Sequence, residues 1–421
     1  MNRKKTLSIL GGLALCPFVA NAQVSPPQPQ AFGYSPNFQE IRVDASRLAR
    51  VDALLREYVD KGILPHALTF VAREGQVIHH KAFGYRDMEK KIPLREDDIF
   101  RMYSQTKAIV TTALMTLFEQ GKFQLDDPVS KYIPEMTNQV VDNGEKPNAV
   151  HPRTREAVSP VLIRHLMSHT SGISHIRREH GTKPKEYATL ADYVKDLVQA
   201  PLVYDPGTGW NYHPASDVCA YLVELFSGKS LREYLEEALF APLGITDMAY
   251  YYDKSYAARF VNIYQEKEGR LQPVTMWSGR EPFGDDRRFA QGGTGLNGTI
   301  EGYARFCQMI LNGGTFNGKR VLGRRTIEVM AKNQIVSPRE LANNFRFGLG
   351  FQIYRGDGKD WEVQTGDSPM ISGGSLSWGG MANTDYLIDR EQKMIVLLYT
   401  NRIPDTKVWE KFLNTVYQAL E

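Results

Sequence analysis

A serine stands three residues ahead of a lysine in Phe100-Arg101-Met102-Tyr103-Ser104-Gln105-Thr106-Lys107, which runs straight into the apolar-periodic segment Ala108 to Gln120. On a helix, residues at that spacing share a face, so the Ser104 hydroxyl comes within reach of the Lys107 ammonium. A serine hydroxyl is a weak nucleophile at neutral pH, and an adjacent base, or a cation that holds a base in its ionised form, activates it. The free N–H groups and positive dipole end of a helix start also steady an oxyanion developing there. The plainer role for Ser104 is an N-cap. Ser-x-x-Lys alone arises roughly once by chance in a chain of this kind, so the pattern needs partners elsewhere.

Two later stretches supply them. Trp210-Asn211-Tyr212-His213-Pro214-Ala215 places a tyrosine in a loop before a helix. A phenol near a lysine ammonium ionises below its free value of about 10, because the positive charge favours the phenolate. Tyr212 would then take the Ser104 proton and return it to the leaving group. Against this, Tyr212 is one of 21 tyrosines, and on spacing alone packing at a helix start is the better account of it. The second stretch, Ser375-Leu376-Ser377-Trp378-Gly379-Gly380-Met381, carries paired glycines that let a backbone approach a ligand closely. An N–H just past them would share a tetrahedral oxyanion with the N–H of Ser104. A bulged strand entry is the alternative use of Gly-Gly.

The elements that must hold these residues divide into two textures. Ser46 to Leu64 has apolar residues at helical spacing behind a cap at Asp44 or Ser46, and Ala67 to Gly84 reads as a hairpin turning at Arg73-Glu74-Gly75-Gln76. Near the other end, Thr384 to Ile388 and Met394 to Thr400 form a second hairpin, and Lys407 to Leu420 closes with a helix. Helix-hairpin at one end and hairpin-helix at the other predict an α+β fold, in which 46–106 and 311–421 build one antiparallel sheet flanked by helices. Between them, residues 107–310 form a mostly helical insert, with helices expected at Val161 to Ser168, Leu190 to Gln199, Ala215 to Ser227, Leu231 to Phe240 and Ile300 to Asn312. Ser104 falls at the seam, where pockets form readily. Residues 136–160 and 252–290 are long and weakly periodic, and are expected to shape the substrate.

Arg3, Lys4 and Lys5 precede an apolar run from Leu7 to Val19 and then Ala20-Asn21-Ala22, which reads as a secretory signal cleaved after Ala22, directing the protein to the periplasm or outside the cell. The run is too short, and too broken by Gly11, Gly12 and Pro17, for stable membrane insertion. Residues 23–45, polar and proline-containing, read as an extended leader. Removing residues 1–22 takes the formal charge from +3 to zero, so no basic balance points to nucleic acid. An apolar content of 42% is enough for a sizeable core of one or two domains. Cys219 and Cys307 sit in apolar helical patterns, as buried residues do, although an oxidising compartment permits pairing if they lie close. His165 and His169, four apart, lack the glutamate of a zinc-hydrolase helix, so no metal site is expected. A Gly-x-Ser-x-Gly elbow is also missing.

In order and separation, Ser104-Gln105-Thr106-Lys107, Trp210-Asn211-Tyr212 and Trp378-Gly379-Gly380 resemble the three motifs of the serine β-lactamase and penicillin-binding-protein superfamily. Gly121 to Tyr132, His165 to Gly172, Pro242-Leu243-Gly244 and Gly292-Gly293-Thr294-Gly295-Leu296 also match its scaffold. Among its branches the chain is most similar to the family VIII carboxylesterases, relatives of class C β-lactamases. The resemblance implies a β-lactamase/transpeptidase-like fold, with Ser104 as acylated nucleophile, Lys107 tuning it and Tyr212 as general base and acid. It further implies an oxyanion hole from the N–H groups of Ser104 and Met381, and substrate contacts from Trp378, Gly379, Gly380, Tyr103 and Trp210. No cofactor is implied. Two departures narrow the substrate: Trp378-Gly379-Gly380 stands where β-lactamases and transpeptidases carry Lys-Thr-Gly, and Pro214, with no side-chain donor, ends the second motif. Both remove recognition of an anionic amide. A small-molecule ester of short to medium acyl length is therefore expected; a β-lactam, a D-alanyl peptide or another amide, acyl transfer, and a sensor that acylates and stops are the alternatives.

Overall fold

Glu74 and Gly75 both take positive φ, 50° and 76°, and this two-residue turn sends His66–Arg73 back as Gln76–Asp87. In the computed structural model, residues 31–142, 154–174, 187–212, 214–274, 282–283, 289–337, 345–356 and 368–421 are described. The hairpin supplies two strands of a seven-stranded sheet. Its strands, from one edge to the other, are Gln352–Ile353, Leu376–Gly380, Thr384–Asp389, Met394–Tyr399, His66–Arg73, Gln76–Asp87 and Ile92–Pro93. Every neighbouring pair is antiparallel. Tyr399 lies opposite Leu68 in the central pair, so the first and last hairpins of the chain zip together.

The central strands are buried on both faces, and the period-2 alternation assigns each residue to one of two cores. Leu68, Phe70 and Ala72 join Ile395, Leu397 and Tyr399 against the helical part of the chain. Ala67, Val71, Val396 and Leu398 face the opposite way, against Val51, Leu55 and Tyr58 of helix Arg50–Asp60 and Phe412, Leu413 and Val416 of helix Val408–Tyr417. The expected first helix comes in two pieces, Ala45–Leu48 and Arg50–Asp60, parted at Ala49, and Asp44 is the cap, accepting from the N–H groups of Ser46 and Arg47. Helix Leu231–Leu235 gives way to a π turn at Glu236–Phe240 just ahead of Pro242, which has no N–H to continue a ladder.

Helix Thr106–Glu119 is buried from Thr106 through Leu117, which marks it as a core helix rather than a surface one. Thr112 and Thr116 donate their hydroxyls back to Ala108 O and Ala113 O, so their burial costs little. Helix Ala215–Ser227 packs beside it, and helix Ile300–Leu311 covers the sheet between strands Met394–Tyr399 and Thr384–Asp389. Cys219 and Cys307 are buried free thiols, and burial pushes both thiols upward, which leaves them inert.

The signal expected over residues 1–22, and residues 23–30 of the leader, lie outside the described residues. From residue 31 the leader is docked rather than free. Gly33 N–H donates to Gly75 O, Val77 N–H donates to Gly33 O, and the Phe32 ring lies 4.9 Å from Phe70. Among the described residues, no helix is long and apolar enough to cross a membrane.

His66 ties this sheet to pH. Its Nδ1 lies 2.8 Å from Tyr85 O, its buried Nε2 has no partner among the described residues, and burial lowers its pKa to about 4. The unfolded value is near 6.5, so the folded chain resists a proton that the unfolded chain accepts. Stability from this group is complete above about pH 6.5 and is lost as pH falls towards 4, on the order of 3 kcal/mol in all. Urea midpoints should therefore fall across that window, and His66→Asn should flatten the slope; an equal slope in the variant would contradict this assignment.

Candidate active site

Ser104 sits in a 3₁₀ turn, Tyr103–Gln105, immediately before helix Thr106–Glu119. The turn is pinned from beneath. Gln105, fully buried, donates from Nε2 to Thr384 O at 3.1 Å and accepts at Oε1 from the Tyr399 hydroxyl at 2.7 Å. Tyr303 donates to Gln105 O at 3.1 Å, and Thr106 donates to Tyr103 O at 2.6 Å. Tyr103 takes φ 47°, a region that costs a residue with a side chain on the order of 1–3 kcal/mol and persists only where surroundings enforce it. Gln105 is the helix N-cap residue, and no side chain caps the helix. The N-cap role for Ser104 is thus excluded. Its hydroxyl is half-buried and accepts from Lys107 Nζ at 3.1 Å.

Lys107, only 8% exposed, has two further neighbours. It donates to Gly293 O at 2.6 Å, and its Nζ lies 4.6 Å from the centroid of the Tyr212 ring. Tyr212 reaches this position on a loop held by the His165 to Gly172 stretch. Asn211 N–H donates to His169 O at 2.9 Å, Asn211 Nδ2 donates to Ile173 O at 3.2 Å, and the His169 ring packs 4.8 Å from the Tyr212 ring. His165 instead turns its Nδ1 to the N–H of Leu162, 3.2 Å away. The pair thus serves helix start and loop packing. Among the described residues, no group of three His, Cys, Asp or Glu gathers as a metal would need.

Trp378 closes the constellation by donating from Nε1 to the Tyr212 hydroxyl at 2.9 Å. The Tyr212 phenol therefore meets an ammonium over its ring and an N–H at its oxygen. Leu376–Gly380, for which a bulged strand entry is the alternative reading of the sequence, is a full sheet strand that pairs Trp378 with Tyr386, Gly379 with Asp385 and Gly380 with Thr384. Close backbone approach requires the second of its glycines, Gly380, and the first lies against the Asp385 side chain. A Cβ on Gly379 would lie 2.1 Å from Asp385 Oδ1, and one on Gly380 would lie 2.2 Å from Thr384 Oγ1 and 2.4 Å from Met102 O. This brings the strand end, with Met381 beyond it, against the nucleophile turn.

Ser104, Tyr212, Trp378, Gly379, Gly380 and Met381 all line one cavity of about 470 Å³. Tyr103 and Trp210 do not. Tyr103 packs with Ile263 and Ala382, and burial raises its phenol pKa. Trp210 stacks on Tyr212, 5.9 Å between ring centroids, within an aromatic group that includes Phe345 and Phe347. Both lie behind the wall. Among the described residues of 136–160 and 252–290, none lines the cavity, and residues 143–153, 275–281 and 284–288 lie outside the described residues.

Sequence reasoning passed over Asp217. This fully buried carboxylate accepts at Oδ1 from Gly292 N–H at 2.7 Å and Gly293 N–H at 3.1 Å. Burial raises its pKa, while the Gly293 N–H, the Lys107 charge and the Gly292 N–H pull the other way. An acidic residue five places beyond Tyr212 was the visible trace, together with the Gly292-Gly293 pair.

Comparison with known proteins now places the chain. The family described as Beta-lactamase matches residues 51–411. The chain belongs to the beta-lactamase family. Among curated relatives, Esterase EstB of Burkholderia gladioli is 28% identical over 394 residues, covering 85% of this chain and 91% of its own. Acyltransferase calJ of Penicillium decumbens is 27% identical over 363 residues, covering 78% of this chain and 82% of its own. Among solved structures, EstCE1, described as a hydrolase with promiscuous acyltransferase activity, superposes with a TM-score of 0.73 at 25% identity, covering 89% of this chain and 99% of its own. The sheet with its helices is accordingly the β-lactamase/transpeptidase-like fold of that family.

Proposed function

We propose that this protein is a serine hydrolase that cleaves carboxylic esters of short to medium acyl chains through an acyl-enzyme on Ser104, and that it is exported with residues 1–22 removed. The observation that carries the reading is the Ser104–Lys107 contact of 3.1 Å beside a Tyr212 hydroxyl held by the Trp378 indole. Ser104 Oγ attacks the ester carbonyl, its proton passes to Tyr212 acting as the phenolate, and the N–H groups of Ser104 and Met381 receive the developing oxyanion. Tyr212 then returns the proton to the departing alcohol. Water, losing a proton to Tyr212, attacks the acyl-enzyme, and the carboxylic acid leaves as Ser104 recovers its hydrogen. Lys107 orients the Ser104 oxygen and sets its ammonium over the Tyr212 ring, while the Trp378 N–H orients the Tyr212 oxygen.

Recognition favours an ester over a β-lactam. None of the described residues lining the cavity is basic, so a substrate carboxylate meets no counter-charge, and Trp378 presents an indole there instead. EstB carries the name of an esterase, which supports the same choice. Acyl transfer is a second reading, supported by the calJ and EstCE1 descriptions.

The test is side-by-side turnover of p-nitrophenyl butyrate and nitrocefin by the purified protein, repeated with an added alcohol. Sustained ester turnover with little lactam cleavage is expected, and the alcohol separates free butyrate from a new butyrate ester. Fast nitrocefin turnover would move the assignment to a β-lactamase. Trp378→Phe, which removes the donor to Tyr212 and keeps an aromatic ring, should lower kcat on the ester about tenfold with little change in KM, as expected for about 1.4 kcal/mol. An unchanged kcat would remove Trp378 from the machinery.

A further inference from the structure

Lys107 Nζ is held on its far side by a main-chain carbonyl, and that carbonyl is itself aimed by a buried charge. Gly293 O accepts from Lys107 at 2.6 Å. The residue bearing it is fixed at its amide end by Asp217 Oδ1, which receives the N–H groups of both Gly292 and Gly293. Gly292 packs directly against the neighbouring backbone, while Gly293 sits at ordinary contact distance from both charged groups. A Cβ on Gly292 would lie 1.9 Å from Ser216 O, and one on Gly293 would lie 3.5 Å from Lys107 Nζ and 3.8 Å from Asp217 Oδ1. The carboxylate and the ammonium therefore face each other across a single residue, Gly293. Upstream, the Tyr250 hydroxyl donates to Gln291 O at 2.7 Å and holds the entry of the same segment.

We infer that Asp217 is a positioning residue for the reaction: it fixes the Gly293 carbonyl against Lys107 and supplies the buried negative charge that keeps the lysine ammonium directed at Ser104. This rests on the acyl-enzyme reading of Ser104. The groups facing Asp217 are Lys107 from helix Thr106–Glu119, Tyr193 from helix Leu190–Leu197, Tyr250 from the loop after helix Ala241–Leu243, and Cys219 on its own helix. Lys107 alone among them carries a positive charge. Asp217 touches no reacting atom, so its whole effect passes through Lys107 and the Gly293 peptide.

Asp217→Asn separates charge from shape, because an amide oxygen still accepts from both N–H groups. The readout is covalent labelling of Ser104 by a fluorophosphonate, followed by intact-protein mass, with the maximal labelling rate and the half-saturating concentration determined separately. This probe reports on Ser104 whatever the enzyme's own substrate, so a wild-type chain that labels but cleaves no ester overturns the esterase reading without touching the comparison. Asp217→Asn should retain the thermal midpoint within a few degrees, lower the maximal labelling rate at least tenfold and leave the half-saturating concentration within twofold. In a Lys107→Met background the same substitution should change the residual rate less than twofold, since the two act as a unit. A wild-type labelling rate in Asp217→Asn overturns the proposal, as does an equal further loss in the Lys107→Met background, which would mark Asp217 as merely structural. Should Asp217→Asn not accumulate folded, Asp217→Ser is read by the same two criteria.

Discussion

Ser104→Ala should abolish turnover of p-nitrophenyl butyrate, lowering kcat by about 10⁴-fold or more, while the protein stays folded. The size follows from losing the atom that forms the covalent intermediate, since removal of a nucleophile leaves only what binding and oxyanion stabilisation supply. Stability should hardly change. The Ser104 hydroxyl is half-buried, does not cap its helix, and is held by Lys107 alone among the described contacts. Losing one partly exposed hydrogen bond costs about 1 kcal/mol. Meanwhile Gln105, tied to Thr384, Tyr399 and Tyr303, keeps the turn in place. Steady-state rates and a thermal melt check both halves. A variant within tenfold of the wild-type rate would refute the mechanism, and one that is inactive because it is unfolded would refute the structural half.

Tyr212→Phe should lower kcat by about 10²–10⁴-fold, the range expected for losing a general acid–base, with KM within a few-fold of wild type. The ring would remain where it is. It packs against His169, Trp210 and Trp378, with centroids 4.8, 5.9 and 4.9 Å away, and none of these contacts uses the hydroxyl. The Trp378 N–H loses its acceptor, a cost of about 1 kcal/mol in a partly exposed cleft. A kcat close to wild type would transfer the proton to another group, and Lys107, already in contact with Ser104, would then take that role.

What was legible in the sequence and what was not follow from how local each signal is. The hairpin at Glu74-Gly75 and helix Ala215–Ser227 could be read directly, because two positive-φ positions and a helical stripe are written in adjacent residues. The Ser104–Lys107 contact was equally local, set by helical spacing. Pairing Tyr212 with Trp378, 166 positions apart, needed the motif resemblance, since no periodicity links residues brought together by sheet order. Trp210 and Tyr103 show the limit of proximity in sequence: each neighbours a motif residue, but alternation along the backbone turns one into the aromatic packing and the other under the turn. Asp217 was missed for a further reason. Its partners are backbone N–H groups, which no side-chain pattern announces. The strand Leu376–Gly380 was hidden by its glycines, and Gly380 is there for close approach to Met102 O and Thr384 rather than for propensity.

The most direct test of the central claim is to mix the purified protein with p-nitrophenyl butyrate, quench within the first turnovers, and map any mass increase by peptide analysis. The account predicts a transient butyryl adduct on the peptide bearing Ser104, decaying as butyrate appears, and no adduct in Ser104→Ala. Ester turnover with an adduct on another residue, or with Ser104→Ala still forming one, would contradict it.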